Sequence, residues 1–415
     1  MNEEYPGGAP SKGPPRATGH IPYYLHLNLP AMKKALFVTL ISFFLLPQFT
    51  MAQGCIETTS DEGVQVIGFI QPQYQYSFLG EDLYGKSLNE SSFYFNRARL
   101  GVTGSIPYDF SYYVIFEFSP TLNGGKNVAP PLLLDAFISY NRFAPYAKVA
   151  MGQFKSPFGL EALTACHKLN TINRSMAVTQ LGALYRDMGV MVSGGTGKLS
   201  VFGSKTENLL GYNLALMNGS GINQWDADNM KDVVARVTLH PVDFLTLGAS
   251  YRRGERLPTA TGVEKNDISK RLGFDAELKF DKFLVQGEFV KGEDIGSYTT
   301  GGGCGGDVEV HEGSLTRNGF FVQGMYTTPW NLQPIVRIEE FLVPQGNDPN
   351  MWNGNIFEGL WGDSQDEVQS IVTFGANYFF NEWTRLQVNY LYKAEKGTLT
   401  EIDNDALLIQ LQVVF

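Results

Sequence analysis

Between Phe154 and Asp187 the chain reads FKSPFGLEALTACHKLNTINRSMAVTQLGALYRD, a basic stretch in a protein whose formal net charge is −10. Through Arg186 it holds Lys155, Lys168, Arg174 and Arg186, with His167 among them, against Glu161 alone. Such a set can do one kind of chemistry without a cofactor. Held between low-dielectric walls at a narrow place, it lowers the barrier for anions and raises it for cations. Spread over a solvated external loop, the same charges do nothing of the kind, and composition leaves both readings open. Catalysis finds less support. The histidines are His20, His26, His167, His240 and His311, and no GxSxG or HExxH motif accompanies them, so the nucleophile, base and orienting group of a barrel hydrolase are not indicated. Cys55, Cys166 and Cys304 form no CxxC pair, and neither a metal nor a cofactor is expected.

The elements that must position these residues are strands. In QPQYQYSF, Gln71, Gln73, Gln75 and Ser77 fall on one side of an extended chain, and Tyr74, Tyr76 and Phe78 on the other. The same period recurs in KRLGFDAELKF, where Leu272, Phe274, Ala276, Leu278 and Phe280 oppose Arg271, Gly273, Asp275, Glu277 and Lys279. WTRLQVNYLYK, FSYYVIFEFS and DVVARVTLH repeat it. Tight connections (GSIPYDF, HPVDF, KFDKF, FFNEW) alternate with long polar ones such as NGSGINQWDADNMKD. This predicts an all-β, transmembrane antiparallel barrel of about sixteen strands, short turns at one end and long loops at the other. A soluble sandwich also alternates. Against it stand the Tyr and Phe near strand ends, which suit interfacial girdles, and the Arg, Glu and Gln on polar faces, which suit a wet lumen. The chain also ends LLIQLQVVF, with Leu407, Ile409, Leu411, Val413 and Phe415 on one face, like the terminal strand read by outer-membrane assembly machinery. The basic stretch interrupts the strand pattern; its LEALTACHKL is helix-compatible, and its length would let it fold inward and constrict a barrel.

Composition agrees: 18% charged residues, 13% aromatics and 45 glycines among 415 residues suit a β protein poor in charge. Lys33 and Lys34 precede a 12-residue apolar run, Ala35 to Leu46, followed by small and polar residues up to Ala52. That is the pattern of a secretory signal, too short for a spanning helix of about 20 residues. Three regions follow: 1–31, a disordered extension or an upstream start; 32–52, the signal peptide; and 53–415, the barrel. MAQGC also fits a loose lipoprotein pattern with Cys55 as the acceptor. Residues 1–52 carry four basic and two acidic groups, so their removal takes the net charge from −10 to −12. An acidic export product without basic tracts argues against nucleic acid as a partner.

SSFYFNRARLGVTG, LLLDAFISY, MGQFKSPFGLE, NRSMAV and LLIQLQVVF together resemble the phosphate- and pyrophosphate-selective porin O and P family, from about Gly63 to Phe415. GQFKSPFGLE is the most specific piece. The resemblance implies a trimeric barrel of the Gram-negative outer membrane, whose inward-folded third loop narrows the pore and whose arginines and lysines draw in phosphate. Of the family's adjacent arginines, Asn96 replaces the first and Arg97 keeps the second, with Arg99 on the same side. The pore aspartate matches Asp135. The constriction lysine falls at His167, with Lys168 next to it; histidine is largely neutral at pH 7, which argues against strong phosphate selectivity.

The leading expectation is therefore a passive channel for small anions such as phosphate, in contact with outer-membrane lipids and the assembly machinery, and a homotrimer. A non-selective general porin is the nearest alternative. A barrel enzyme and a surface binding protein anchored at Cys55 are rivals of another class. The structural alternative for Arg97 and Asp135 is an ion pair that supports the wall. Arg253 and Arg256 in RGERLP read as an external loop that either collects anions or carries solvated charge. Intact mass of the exported protein is expected to place its first residue near Gln53; a product retaining residues 1–31 would rule out the assigned signal.

Overall fold

The computed structural model describes residues 63–415 except 108, 123–125, 128–130, 183–185, 202–203, 207, 259–263, 302–306, 343–368 and 396–401. The segments 1–31 and 32–52, with Cys55 and Cys304, lie outside the described residues. In chain order the first strands are β1 (Gly63–Ser77), β2 (Glu90–Ile106), β3 (Phe110–Glu117), β4 (Thr121–Leu122), β5 (Lys126–Asn127), β6 (Leu132–Phe143) and β7 (Ala147–Lys155). Then come β8 (Arg186–Gly195), β9 (Leu199–Val201), β10 (Ser204–Thr206), β11 (Leu210–Met217), β12 (Asp232–Val242), β13 (Leu245–Arg256) and β14 (Asp267–Phe280). The last are β15 (Phe283–Gly301), β16 (Val308–Tyr326), β17 (Leu332–Leu342), β18 (Gln369–Phe379), β19 (Thr384–Glu395) and β20 (Ala406–Val414).

Sixteen of these strands close into one antiparallel barrel, each beside its chain neighbour; β4–β5 and β9–β10 form two small separate sheets. The period-2 pattern explains the closure. A sheet with lipid on its outer face must pair every backbone group internally, and only a sheet without edges does so. On β14 the exposed positions include Leu272, Phe274, Leu278 and Phe280, while Arg271, Gly273 and Asp275 are buried. Gln71 and Gln73 of β1 are buried, their side chains bonded to Gln412 and Tyr94.

The seam joins the first strand to the last. Phe69 pairs with Val414 and Gln73 with Gln410. The terminal Phe415 continues the ladder, donating its N–H to the Gly68 carbonyl at 2.9 Å and accepting from the Gly68 N–H at 2.8 Å. Gly68 is required there by space: a Cβ would meet the Phe415 ring and the Arg99 carbonyl at 2.7 Å each.

Two details depart from the sequence-based expectation. At the tight-turn end, β8 and β11 are joined by residues 196–209, which contain the β9–β10 hairpin, so the alternation of short and long connections is not strict. Nor does LEALTACHKL form a helix. It contains a turn closed by Thr164 N–H to Leu160 O and a 3-10 turn at Cys166–Lys168, while the α-helix of the segment is α1, Met176–Leu181, capped by Ser175. The carbonyls of Ala162, Leu163 and Thr164 accept from the Lys155 ammonium, so the chain curls around that cation instead of running on as a helix. Substituting Gly68→Val is expected to destabilise the barrel by ~1–3 kcal/mol, the usual cost of overpacking, read as an earlier loss of the folded band in heat-modifiable electrophoresis; an unchanged transition would show that the seam tolerates the extra atoms.

Candidate functional site: a cationic cluster inside the barrel

Alternation on β2 turns Arg97 and Arg99 to the inner face, where both are buried. Arg99 donates from Nε to Glu117 at 2.7 Å and from Nη1 to the Cys166 sulfur at 3.2 Å, and its guanidinium lies 5.4 Å from the Phe69 ring centre. Arg97 has no carboxylate partner among the described residues: its Nη1 donates to Gln71 Oε1 at 3.0 Å and to the Ile172 carbonyl at 3.5 Å. Asp135 does not pair with Arg97. It accepts a two-pronged contact from Arg186, 3.0 Å at each oxygen. The wall-supporting ion pair therefore exists, with Arg186 in the place assigned to Arg97.

Residues 156–182 reach inner-face side chains on widely separated strands. Near β7, Lys155 donates to its three carbonyls at 3.1–3.2 Å. Arg174 donates to the Glu161 and Thr164 carbonyls at 3.0 and 2.7 Å and approaches the Cys166 sulfur at 3.5 Å. Towards β15 and β17, Glu288 accepts the Leu160 and Glu161 N–H groups, Glu161 accepts from Ser175 N–H, and Glu339 accepts from Met176 N–H. Arg337 binds Glu161, Glu339, Thr171 and the Asn173 carbonyl. On the β18–β20 side the partners are amides: Asn389 accepts from Ile172 N–H at 2.8 Å, and Asn377 donates to the Asn170 carbonyl at 2.9 Å. A buried loop must have its peptide groups satisfied, and the wall side chains satisfy these.

His167 contributes its carbonyl, which accepts from Arg385 at 2.8 Å and Gln412 at 3.1 Å, while its ring packs 5.3 Å from Phe69. Burial, and then the adjacent Lys168, bring its pKa down to about 4, so it is neutral at pH 7. Lys168 is exposed and makes no ion pair among the described residues. Burial alone would raise the Cys166 thiol, but Arg99, Arg174, Arg97 and Lys155 draw its pKa well below the ordinary value.

Arg97, Arg99, Lys155, Arg174 and Cys166 thus come together, Asp135 and Arg186 form a neighbouring pair, and Lys168 stands apart. Arg385 belongs with the cluster although the sequence analysis left it out. Its signal was its place on the polar face of WTRLQVNYLYK, but nothing local tells that its partners would be Gln412 and a carbonyl of residue 167. Elsewhere the inner wall behaves differently. Arg236 binds Asp275, Arg252 binds Asp232, and Arg271 and Arg317 share Asp294. Among the described residues Arg97, Lys155 and Arg385 have neutral acceptors only, an arrangement that leaves buried positive charge without a fixed carboxylate.

The sequence profile of the phosphate-selective porin O and P family matches residues 70–415. No curated protein matches. Among solved structures, the outer-membrane channel DcaP of Acinetobacter baumannii aligns with a TM-score of 0.59 at 13% identity, covering 87% of this chain and 99% of its own. An anion-selective porin from Comamonas acidovorans gives 0.58 at 10% identity, covering 86% and 100%. OmpT of Vibrio cholerae, in a trimer form, gives 0.53 at 13%, with the same coverage. At these identities the likeness speaks for the fold. The family match extends from the first barrel strand to the final phenylalanine, and the chain therefore belongs to the phosphate-selective porin O and P family, as an integral channel protein of the Gram-negative outer membrane.

Proposed function

We propose that this channel passes small anions in preference to cations, with phosphate among them, and that residues 156–182 form its constriction. The observation that carries the reading is the set Arg97, Lys155 and Arg385, buried at the loop with only amide and carbonyl acceptors. A passing anion would supply the charge those groups lack, in surroundings where an ionic contact is far stronger than in water. The family and the anion-selective relative from Comamonas support the same direction. A homotrimer is part of the proposal, on the strength of the trimer form of the Vibrio protein. Export under residues 32–52 and recognition of the strand ending in Phe415 by the assembly machinery belong to it as well.

The general-porin reading rests on two observations: His167 is neutral where the family carries lysine, and most lumenal arginines are matched by carboxylates. Reversal potentials in planar bilayers under a salt gradient separate the two. Anion selectivity with chloride current blocked by phosphate is the expected result; a cation-selective or indifferent pore would overturn it. Arg97→Gln is expected to lower the anion-to-cation permeability ratio about fivefold, equivalent to ~1 kcal/mol. Arg142→Gln, which removes an exposed pair with Asp109, is expected to leave it unchanged.

The pH profile provides a second check. Because the His167 pKa lies near 4, its ring is expected to add a rise in anion selectivity only near pH 4, read as the difference between wild type and His167→Gln so that the other titrating groups of the cluster cancel. His167→Gln should remove that rise; a rise centred near pH 6.5 would mean that the ring is not buried in the working channel.

A further inference from the structure

On β13 two adjacent arginines part company. Arg252 is buried on the inner face against Asp232, whereas the Arg253 side chain is 50% exposed on the outer face, paired with Glu255. Neither Arg253 nor Arg256 belongs to an external loop: both lie in β13, and Arg256 also turns to Asp232. Across the sheet Arg253 registers with Lys270 of β14, and Lys270 with Glu293 of β15, to which its ammonium is bonded at 3.1 Å. Lys291, two residues before Glu293 and so on the same face, is exposed and makes no ion pair among the described residues. Three cations on three consecutive strands thus crown the outer surface at the long-loop end.

What lies below them on the same face is apolar. Tyr251, Leu272 and Phe289 are exposed directly beneath, followed by Leu247, Phe274 and Val285. On β19, by contrast, the corresponding outer positions are Tyr390 and Tyr392, the amphipathic rings usual at a membrane boundary. A basic crown at the upper edge of a lipid-facing band sits at headgroup depth, where long side chains keep their stems on apolar surface and their charge in water. The Arg253–Glu255 pair is exposed and the Lys270–Glu293 pair half-buried, and pairs open to solvent contribute little. An incoming phosphate therefore displaces a carboxylate at small cost and gains charge-assisted contacts to a guanidinium and two ammonium groups.

We propose that Arg253, Lys270 and Lys291 form a docking site for the phosphorylated headgroup of an outer-leaflet glycolipid, whose acyl chains lie along Tyr251, Leu272 and Phe289. The continuity of the cations with the lipid-facing band favours a lipid over a second copy of the chain or a dissolved anion. The site is on the outside of the barrel and is independent of ion selection in the lumen.

Wild-type protein and a variant carrying Arg253→Gln, Lys270→Gln and Lys291→Gln, both extracted from outer membranes in mild detergent, would be compared by native mass spectrometry. Purified phosphorylated glycolipid and its enzymatically dephosphorylated form would then be added back. Wild type is expected to retain the phosphorylated lipid, the variant to bind it at least about tenfold more weakly, and the dephosphorylated lipid to bind both equally weakly. Single-channel conductance should not change. Lys291→Gln alone, which breaks no ion pair, is expected to give a smaller loss in the same direction and covers the case in which the triple variant does not fold. Binding within twofold of wild type in the folded variants, equal retention of dephosphorylated lipid, displacement by millimolar inorganic phosphate, or a change of oligomeric state in place of lipid loss would each overturn the proposal.

Discussion

The constraint on which the rest depends is that a backbone facing hydrocarbon has no water to bond. Each N–H and C=O in the spanning strands must find a partner within the sheet, and the sheet can have no edge. That requirement brings Phe415 beside Gly68, makes the glycine obligatory where the terminal ring packs, and sets the side chains of every strand alternately towards lipid and lumen. Once the ladder is closed, the placement of the lumenal charges follows from parity alone.

Inside, two solutions to the problem of buried charge coexist. From β12 to β16 the arginines are matched by aspartates one or two strands away on the same inner face. Around β2, β7 and β19, Arg97, Lys155 and Arg385 meet carbonyls and amides instead, while Arg99 bridges Glu117 and the Cys166 sulfur. The difference comes from residues 156–182, whose peptide groups exchange hydrogen bonds with side chains of the inner wall. Carboxylates hold one flank of the segment and neutral amides the other, so the unmatched positive charge collects where the amides are.

Much of this was legible in the sequence because it is local or periodic. The inward direction of Arg97 and Arg99 and the outward side chains of Leu272, Phe274 and Phe280 need only a count by twos. The basic character of the segment 154–187 is visible as composition. Partnership was not legible: Asp135 binds Arg186 rather than Arg97, and Arg385 joins the cluster through residue 167, because these contacts depend on how a loop packs across the barrel. Helical periodicity misled in LEALTACHKL for a similar reason, since the Lys155 ammonium competes for the carbonyls that a helix would use. Arg253 was misassigned to a loop because RGERLP looks like a turn, although β13 runs to Arg256 with its alternation intact.

The seam also imposes an order in time. β1 and β20 are the first and last strands of the barrel, so their pairing has the largest sequence separation of any strand pair in the sheet and the largest loop-closure entropy to overcome. Until the last strand arrives, β1 presents a row of unpaired backbone groups able to capture any extended segment. The nascent sheet is then an open ribbon with two reactive margins, and its safe passage requires that both be shielded until Phe415 is delivered.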